Sequence, residues 1–226
     1  SVRDGIRPGQ LSNGACLSFY ATKNITSGEG GAVVTQDQEI YEKLKILRLH
    51  GMTKGAEDRY RASKYHHYDM EILGYKANMK DLDAALLLPQ LDRVESYLKR
   101  REEICRRYEE AFADLPGMDF PKVVSGSKSA RHLFTLWAPL GQRDTFLWKL
   151  QERGIGVAVN YRAIPTMKYY QKTFGFKEGD FPVAEEIGNR TLTLPLYPKL
   201  KDEQVEYVIQ QVCEIAYELA SCQKKD

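Results

Sequence analysis

Apolar positions along this chain recur with two different periods. Ile40, Leu44 and Leu47 repeat at helical spacing, with Asp37 placed to cap the start of a helix and Gly51 to end it. Leu91, Val94, Leu98, Cys105, Tyr108 and Phe112 form a longer stripe within a helical region over 78–113, whose other face carries the KRREE and RRYEE clusters. Pro89 interrupts that region and is expected to kink or divide it, because proline donates no N–H and its ring clashes with the preceding turn. Residues 144–153 read as a short helix stopped by Gly154. Asp202 reads as the cap of a C-terminal helix with the stripe Val205, Val208, Ile209, Val212, Ile215, Ala216 and Leu219.

The second period is that of strands. ACLSFY (15–20) and GAVVT (31–35) read as short buried strands, and RHLFTLWAP (131–139), IGVAVNY (155–161) and TLTLPL (191–196) as three more. Strands interleaved with helices define an α/β class. A turn-rich connection at 122–130 places the boundary between a first part, 1–117, and a small α/β domain, 118–226. Residues 52–75 are polar and aromatic without a period, a length of loop that is usually functional.

Composition narrows the function. With 33 basic and 31 acidic side chains among 226 residues, the net charge is +2 and mixed along the chain, which gives no dedicated nucleic-acid surface. Basic clusters on the long helix have acidic neighbours one turn away, as on a solvated face. No apolar run approaches the roughly 20 residues of a membrane span, and the opening SVRDGIRPGQ has no apolar signal region. Cys16, Cys105, Cys213 and Cys222 are widely spaced, with no CxxC pair and no histidine at ligand spacing. The expectation is a cytoplasmic protein with no disulfide, no metal, no membrane and no nucleic acid as partner.

The densest chemical signal is SFYATKNITSGEGGAVVT, residues 18–35. Lys23 at the end of a strand and before a glycine turn suits a carbonyl adduct: its stem can swing, and partial desolvation of such an amine favours its neutral, nucleophilic form. Ser18 can donate a hydroxyl to a phosphate, and Gly28, Gly30 and Gly31 let backbone approach a ligand closely. By themselves these features also fit an ordinary solvated lysine beside a polar turn.

The string S-F-x-A-T-K-N-x-T-x-G-E-G-G resembles the cofactor-lysine motif of the DegT/StrS sugar-nucleotide aminotransferases, which depend on pyridoxal phosphate. RLHG (48–51), LGYKANMKDLDAAL (73–86), RHLF (131–134), GIGVAVNYRA (154–163), KYYQ (168–171) and LPLYP (194–198) are similar to further blocks of that family, in its order and over nearly the whole chain. The resemblance implies a fold-type-I aminotransferase: the C-terminal part of the pyridoxal-phosphate domain with its connecting helix, then the small domain. Lys23 would hold the cofactor as an imine and then move a proton at the substrate carbon. Ser18 matches a phosphate-binding position. Asn78 lies in a block from which the partner subunit of a homodimer reaches the same phosphate, with 52–75 long enough to cross such an interface. His132, Tyr161 and Arg162 fall in blocks near the sugar nucleotide, although His132 taken alone also reads as an ordinary strand histidine.

The implied reaction is transfer of an amino group from L-glutamate to a nucleotide-linked keto sugar, for surface polysaccharide or lipopolysaccharide biosynthesis. Lys76, Ala77, Asn160 and Pro165 depart from common family residues, which bears on the sugar and not on the lysine chemistry. Dehydratase members replace the lysine, so Lys23 argues against that branch. The family's helix N-terminus for the phosphate, ring-stacking aromatic and acidic partner of the pyridine nitrogen are expected upstream of Ser1. The alternative is a catalytically silent fragment or subunit that folds and dimerises but binds pyridoxal phosphate poorly.

Overall fold

The computed structural model of the protein describes residues 1–52 and 67–222. The chain separates into two compact units: Ser1–Val94 with Gly126–Lys128, and Glu95–Ser125 with Ser129–Asp226. The division thus falls at Val94, not at the 117/118 boundary expected from the turn-rich connection. The reason is the helix Val94–Phe112, whose buried residues Ile104, Cys105, Tyr108 and Phe112 belong to the core of the second unit.

In the first unit, strands Ala15–Ser18 and Gly31–Val34 pair antiparallel, with Ser18 opposite Gly31 and Ala15 opposite Val34. A shorter ladder joins Val2–Arg3 to Ser127–Lys128. The central ribbon was expected to be buried, yet Leu17 and Val33 are each 47% exposed. The two strands pair only with each other among the described residues, and most of their residues are exposed. Helix Gln38–Leu47 starts as expected: the Asp37 carboxylate accepts from the N–H groups of Glu39 and Ile40 at 2.9 and 3.1 Å. The helical region 78–113 is divided into Asp81–Ala85, Leu88–Leu91 and Val94–Phe112. Pro89 lies in the first turn of the middle piece, where its missing N–H costs no helical hydrogen bond. Leu91, placed on the apolar stripe, is 51% exposed. The expected 52–75 loop lies largely outside the described residues.

The second unit carries the main hydrophobic core. Strands Phe134–Trp137 and Thr191–Leu194 pair antiparallel with Phe134 opposite Leu194, and the predicted 155–161 strand reduces to one bridge between Ala158 and Thr193. Pro195 has no N–H to extend that ladder. Helices Arg143–Glu152 and Asp202–Cys222 pack on the sheet through Phe146, Leu150, Val205, Val212 and Ile215, all fully buried. Tyr108 and Phe112 stack 5.5 Å apart, and each meets Phe134 edge-on. Asp202 opens the last helix, but its carboxylate accepts from Arg100 and Arg107 at 2.8 and 2.9 Å. The first-turn cap is Gln204, whose Oε1 accepts from the Lys201 N–H at 3.0 Å.

Two helices in this unit were not announced by periodicity, Lys168–Phe174 and Pro182–Arg190. The buried Glu185 carboxylate steadies the second, accepting from the N–H groups of Gly179 and Phe181 at its start. Arg101 also differs from expectation. It belongs to the KRREE cluster assigned to a solvated face, yet it is only 8% exposed.

Candidate active site

Ser18 ends its strand, and the five residues that follow reach Lys23. The loop is closed by backbone: the Lys23 N–H donates to the Tyr20 carbonyl at 2.9 Å, and Phe19 N–H to Gly30 at 2.9 Å. Phe19 is buried and anchors the loop. Its carbonyl accepts twice, from the Ser27 N–H and the Thr26 hydroxyl, both at 3.0 Å. The Thr26 Oγ1 in turn accepts from the Gly28 N–H at 2.9 Å. Ser18 Oγ stands exposed at the strand end and accepts a long bond from the Tyr20 N–H, 3.4 Å. Lys23 is half-buried in this loop.

The glycines have a steric cause. A Cβ on Gly31 would lie 2.8 Å from the carbonyl oxygen of Leu17 across the ribbon. Gly30, at φ +138°, would place one 3.0 Å from Met79 Cε and 3.1 Å from Ser27 Oγ. The glycine turn is therefore in close packing with the residue next to Asn78. Asn78 itself is exposed.

RLHG and LGYKAN are brought side by side. The N–H groups of Tyr75 and Ala77 donate to the carbonyls of Leu47 and Arg48, and His50 N–H donates to Tyr75. Gly51, at φ +74°, faces Gly74, and a Cβ on either would run into backbone of the other strand of this crossing, Ile72 on one side and Gly51 on the other.

A residue missed by the sequence reading holds the lysine loop from outside. The Gln90 side-chain amide donates to the Thr26 carbonyl at 2.7 Å and accepts from its N–H at 3.0 Å. The sequence signal for it was a glutamine in an apolar stretch, LLPQL (87–91), immediately after the LGYKANMKDLDAAL block.

The candidates in the second unit are spread along its sheet. His132 precedes the strand that begins at Phe134, on the side where Leu196 lies, and both His132 and Leu196 offer carbonyls to Arg101. Tyr161 and Arg162 follow the Ala158–Thr193 bridge toward the opposite end, where Ala163 packs against Gly188. Tyr161 is 66% exposed, and Arg162 is also exposed. The register therefore sets His132 apart from Tyr161 and Arg162 within this unit. Among the described residues, no group of three His, Cys, Asp or Glu could hold a metal ion, and no helix is long and apolar enough to cross a membrane.

A primary amine, a strand-end hydroxyl and a glycine turn in close packing, all on one closed loop, form a donor set that fits an aldehyde bearing a phosphate. The sequence model of the DegT/DnrJ/EryC1/StrS aminotransferase family matches residues 1–213, and the chain belongs to that family. It is similar to the spore coat polysaccharide biosynthesis protein SpsC of Bacillus subtilis, 42% identical over 212 residues that make up 92% of this chain and 54% of SpsC. The fold matches Spr1654 of Streptococcus pneumoniae in its PMP form with a TM-score of 0.86 and 33% identity, covering 96% of this chain and 56% of that one. It also matches DesV of S. venezuelae with a TM-score of 0.83 and 31% identity, covering 95% and 54%. The chain thus spans about half the length of the relatives it matches. Its fold is that of the fold-type-I aminotransferases, and pyridoxal phosphate is the cofactor of the family; Spr1654 has been solved in PLP and PMP forms.

Proposed function

We propose that this chain carries the lysine-bearing part of a sugar aminotransferase that moves an amino group from L-glutamate to a nucleotide-linked keto sugar in surface polysaccharide biosynthesis. The observation that carries this reading is the closed loop from Ser18 to Gly31, which holds Lys23 between a buried Phe19 and a glycine turn. When bound, pyridoxal phosphate supplies the electron sink for the reaction. Lys23 Nζ would hold the aldehyde carbon of the cofactor, and its free amine would move the proton at the substrate carbon. Ser18 Oγ donates to the phosphate, and the Asn78 amide contributes a second donor from the partner subunit of a cytoplasmic homodimer. His132 and Tyr161 contact the sugar nucleotide. The exposed Arg162 guanidinium suits the charge of its diphosphate.

Borohydride reduction after addition of pyridoxal phosphate tests the central role. The reduced adduct is expected on the peptide containing Lys23 and nowhere else. Labelling that persists in Lys23→Ala sinks the assignment, and Lys23→Arg must also fail because a guanidinium forms no imine and keeps its proton.

A further inference from the structure

Arg101 is buried, and its position in the core is unusual for a charged side chain. It sits on the helix Val94–Phe112 next to the fully buried Ile104 and Cys105. No carboxylate pairs with it among the described residues, and its Nε is buried without a hydrogen-bond partner. Burial pulls its pKa below the ordinary arginine value. For stability alone an apolar side chain of similar volume would serve such a site as well or better. The charge has a directional use instead. One nitrogen, Nη1, donates to the Leu196 carbonyl at 2.9 Å and lies 3.4 and 3.5 Å from the carbonyls of His132 and Arg131. The two N–H bonds of Nη1 lie in the rigid guanidinium plane, so they fix the direction of the Leu196 carbonyl at 2.9 Å and bias, at longer range, those of His132 and Arg131.

Those peptides form a strained turn. Arg131 has φ +47°, a left-handed conformation unusual for a residue with a side chain. The same helix grips this turn a second time, through Glu109 Oε1 accepting from Arg131 Nη1 at 2.6 Å, and Ser129 Oγ accepts from the Arg131 N–H at 3.1 Å. The residue delivered by the turn is His132.

We infer that Arg101 is a positioning residue for His132: its buried guanidinium clamps the carbonyls of Arg131, His132 and Leu196, and so sets the direction in which the imidazole is presented to substrate. The consequence for substrate rests on the reading that His132 contacts the sugar nucleotide; the clamp itself does not.

The test follows the His132 ring in ¹H–¹³C spectra of the full chain, its signal identified by loss in His132→Gln. Arg101→Lys keeps the charge but replaces the planar guanidinium with a tetrahedral ammonium on a shorter side chain, which moves the donor away from the position of Nη1. The ring signal is expected to shift and broaden while the far-ultraviolet dichroism stays unchanged. A ring signal that superimposes on that of the unmutated chain overturns the proposal. So does loss of cooperative folding in both Arg101→Lys and Arg101→Gln, since Arg101 would then be a requirement of the core.

A second arm uses UDP-glucose as probe. Its affinity is expected to fall about three- to tenfold in Arg101→Lys, the worth of one hydrogen bond, and to fall no further when that change is added to His132→Gln. Additive losses in the double variant overturn the proposal. Unchanged affinity in His132→Gln, with the ring still moved by Arg101→Lys, upholds the clamp and overturns the sugar contact of His132 instead.

Discussion

Gln90 and Thr26 are joined by two antiparallel hydrogen bonds, the glutamine amide donating to the Thr26 carbonyl at 2.7 Å and accepting from its N–H at 3.0 Å. The side chain thereby acts as a short strand partner for the loop that carries Lys23. Its Nε2 also donates to the Leu86 carbonyl at 2.7 Å, so both amide protons are used. Gln90→Glu removes both donors and faces a carboxylate oxygen toward a carbonyl. The expected cost is about 1–3 kcal/mol, read locally as faster amide exchange at Thr26 and Gly28. Reductive labelling of Lys23 by pyridoxal phosphate should slow in parallel. Unaltered exchange at Thr26 in this variant would show that the loop holds itself.

The glycines of the turn should differ in tolerance. Gly31→Ala drives a methyl to within 2.8 Å of the Leu17 carbonyl oxygen, a backbone atom of the paired strand. Gly28, at φ +85°, has nothing within 4 Å of an added Cβ, so Gly28→Ala costs only the left-handed conformation, roughly 1 kcal/mol. Urea denaturation is expected to rank Gly31→Ala clearly below Gly28→Ala. The reverse order would mean that the ribbon adjusts its spacing more easily than its turn.

Thiol chemistry should separate the cysteines. Burial pushes the Cys105 thiol up to about 11 and also raises that of Cys213, whereas Cys16 lies exposed on the ribbon. Iodoacetamide at about pH 8 is expected to alkylate Cys16 in the folded chain and Cys105 only after unfolding, because the thiolate is the reacting species. Peptide mapping that finds Cys105 modified at a rate near that of Cys16 would contradict the packing of the helix it sits on.

Acid should loosen the second unit through identifiable carboxylates. The hydrogen bond from Arg100 holds the Asp202 carboxyl below its usual range, and Lys149 and Arg153 do the same for Glu218. The Phe120 N–H lowers Asp119. Folded values below unfolded ones mean that the stabilisation is fully present above the unfolded carboxylate range of about 4 and is lost as pH falls through the folded values. Each effect is small because these groups face solvent. Asp202→Asn is expected to lower the melting temperature at neutral pH and to flatten its decline below about pH 4. An acid limb of unchanged steepness would assign the loss to other carboxylates.

Much of this was legible from residue order. Helices Gln38–Leu47 and Asp202–Cys222 carry unbroken apolar periods, and the lysine loop carries its chemistry within one short string. What stayed hidden had no local signature. Lys168–Phe174 and Pro182–Arg190 have 7 and 9 residues, too few for a period to show between Pro165, Gly175, Gly179 and Pro182. The rings of Tyr170, Phe174, Phe176 and Phe181 succeed one another in contact along this stretch, a three-dimensional pattern rather than a repeat. Arg101 was misplaced because a charged letter reads as solvent-facing, and the carbonyls that hold it come from residues 131, 132 and 196. The partner of Gln90 is likewise distant in sequence. Apolar alternation in the ribbon identified strands but says nothing of what covers them.

Gly51 and Gly74 meet so closely that the obstacle to a side chain at either is main chain. A main-chain obstacle cannot be trimmed by changing a neighbouring residue. A methyl at one position finds no compensating substitution at the other, which already carries the smallest residue there is. The crossing therefore sets a spacing between two main-chain segments that no exchange of side chains around it can relax.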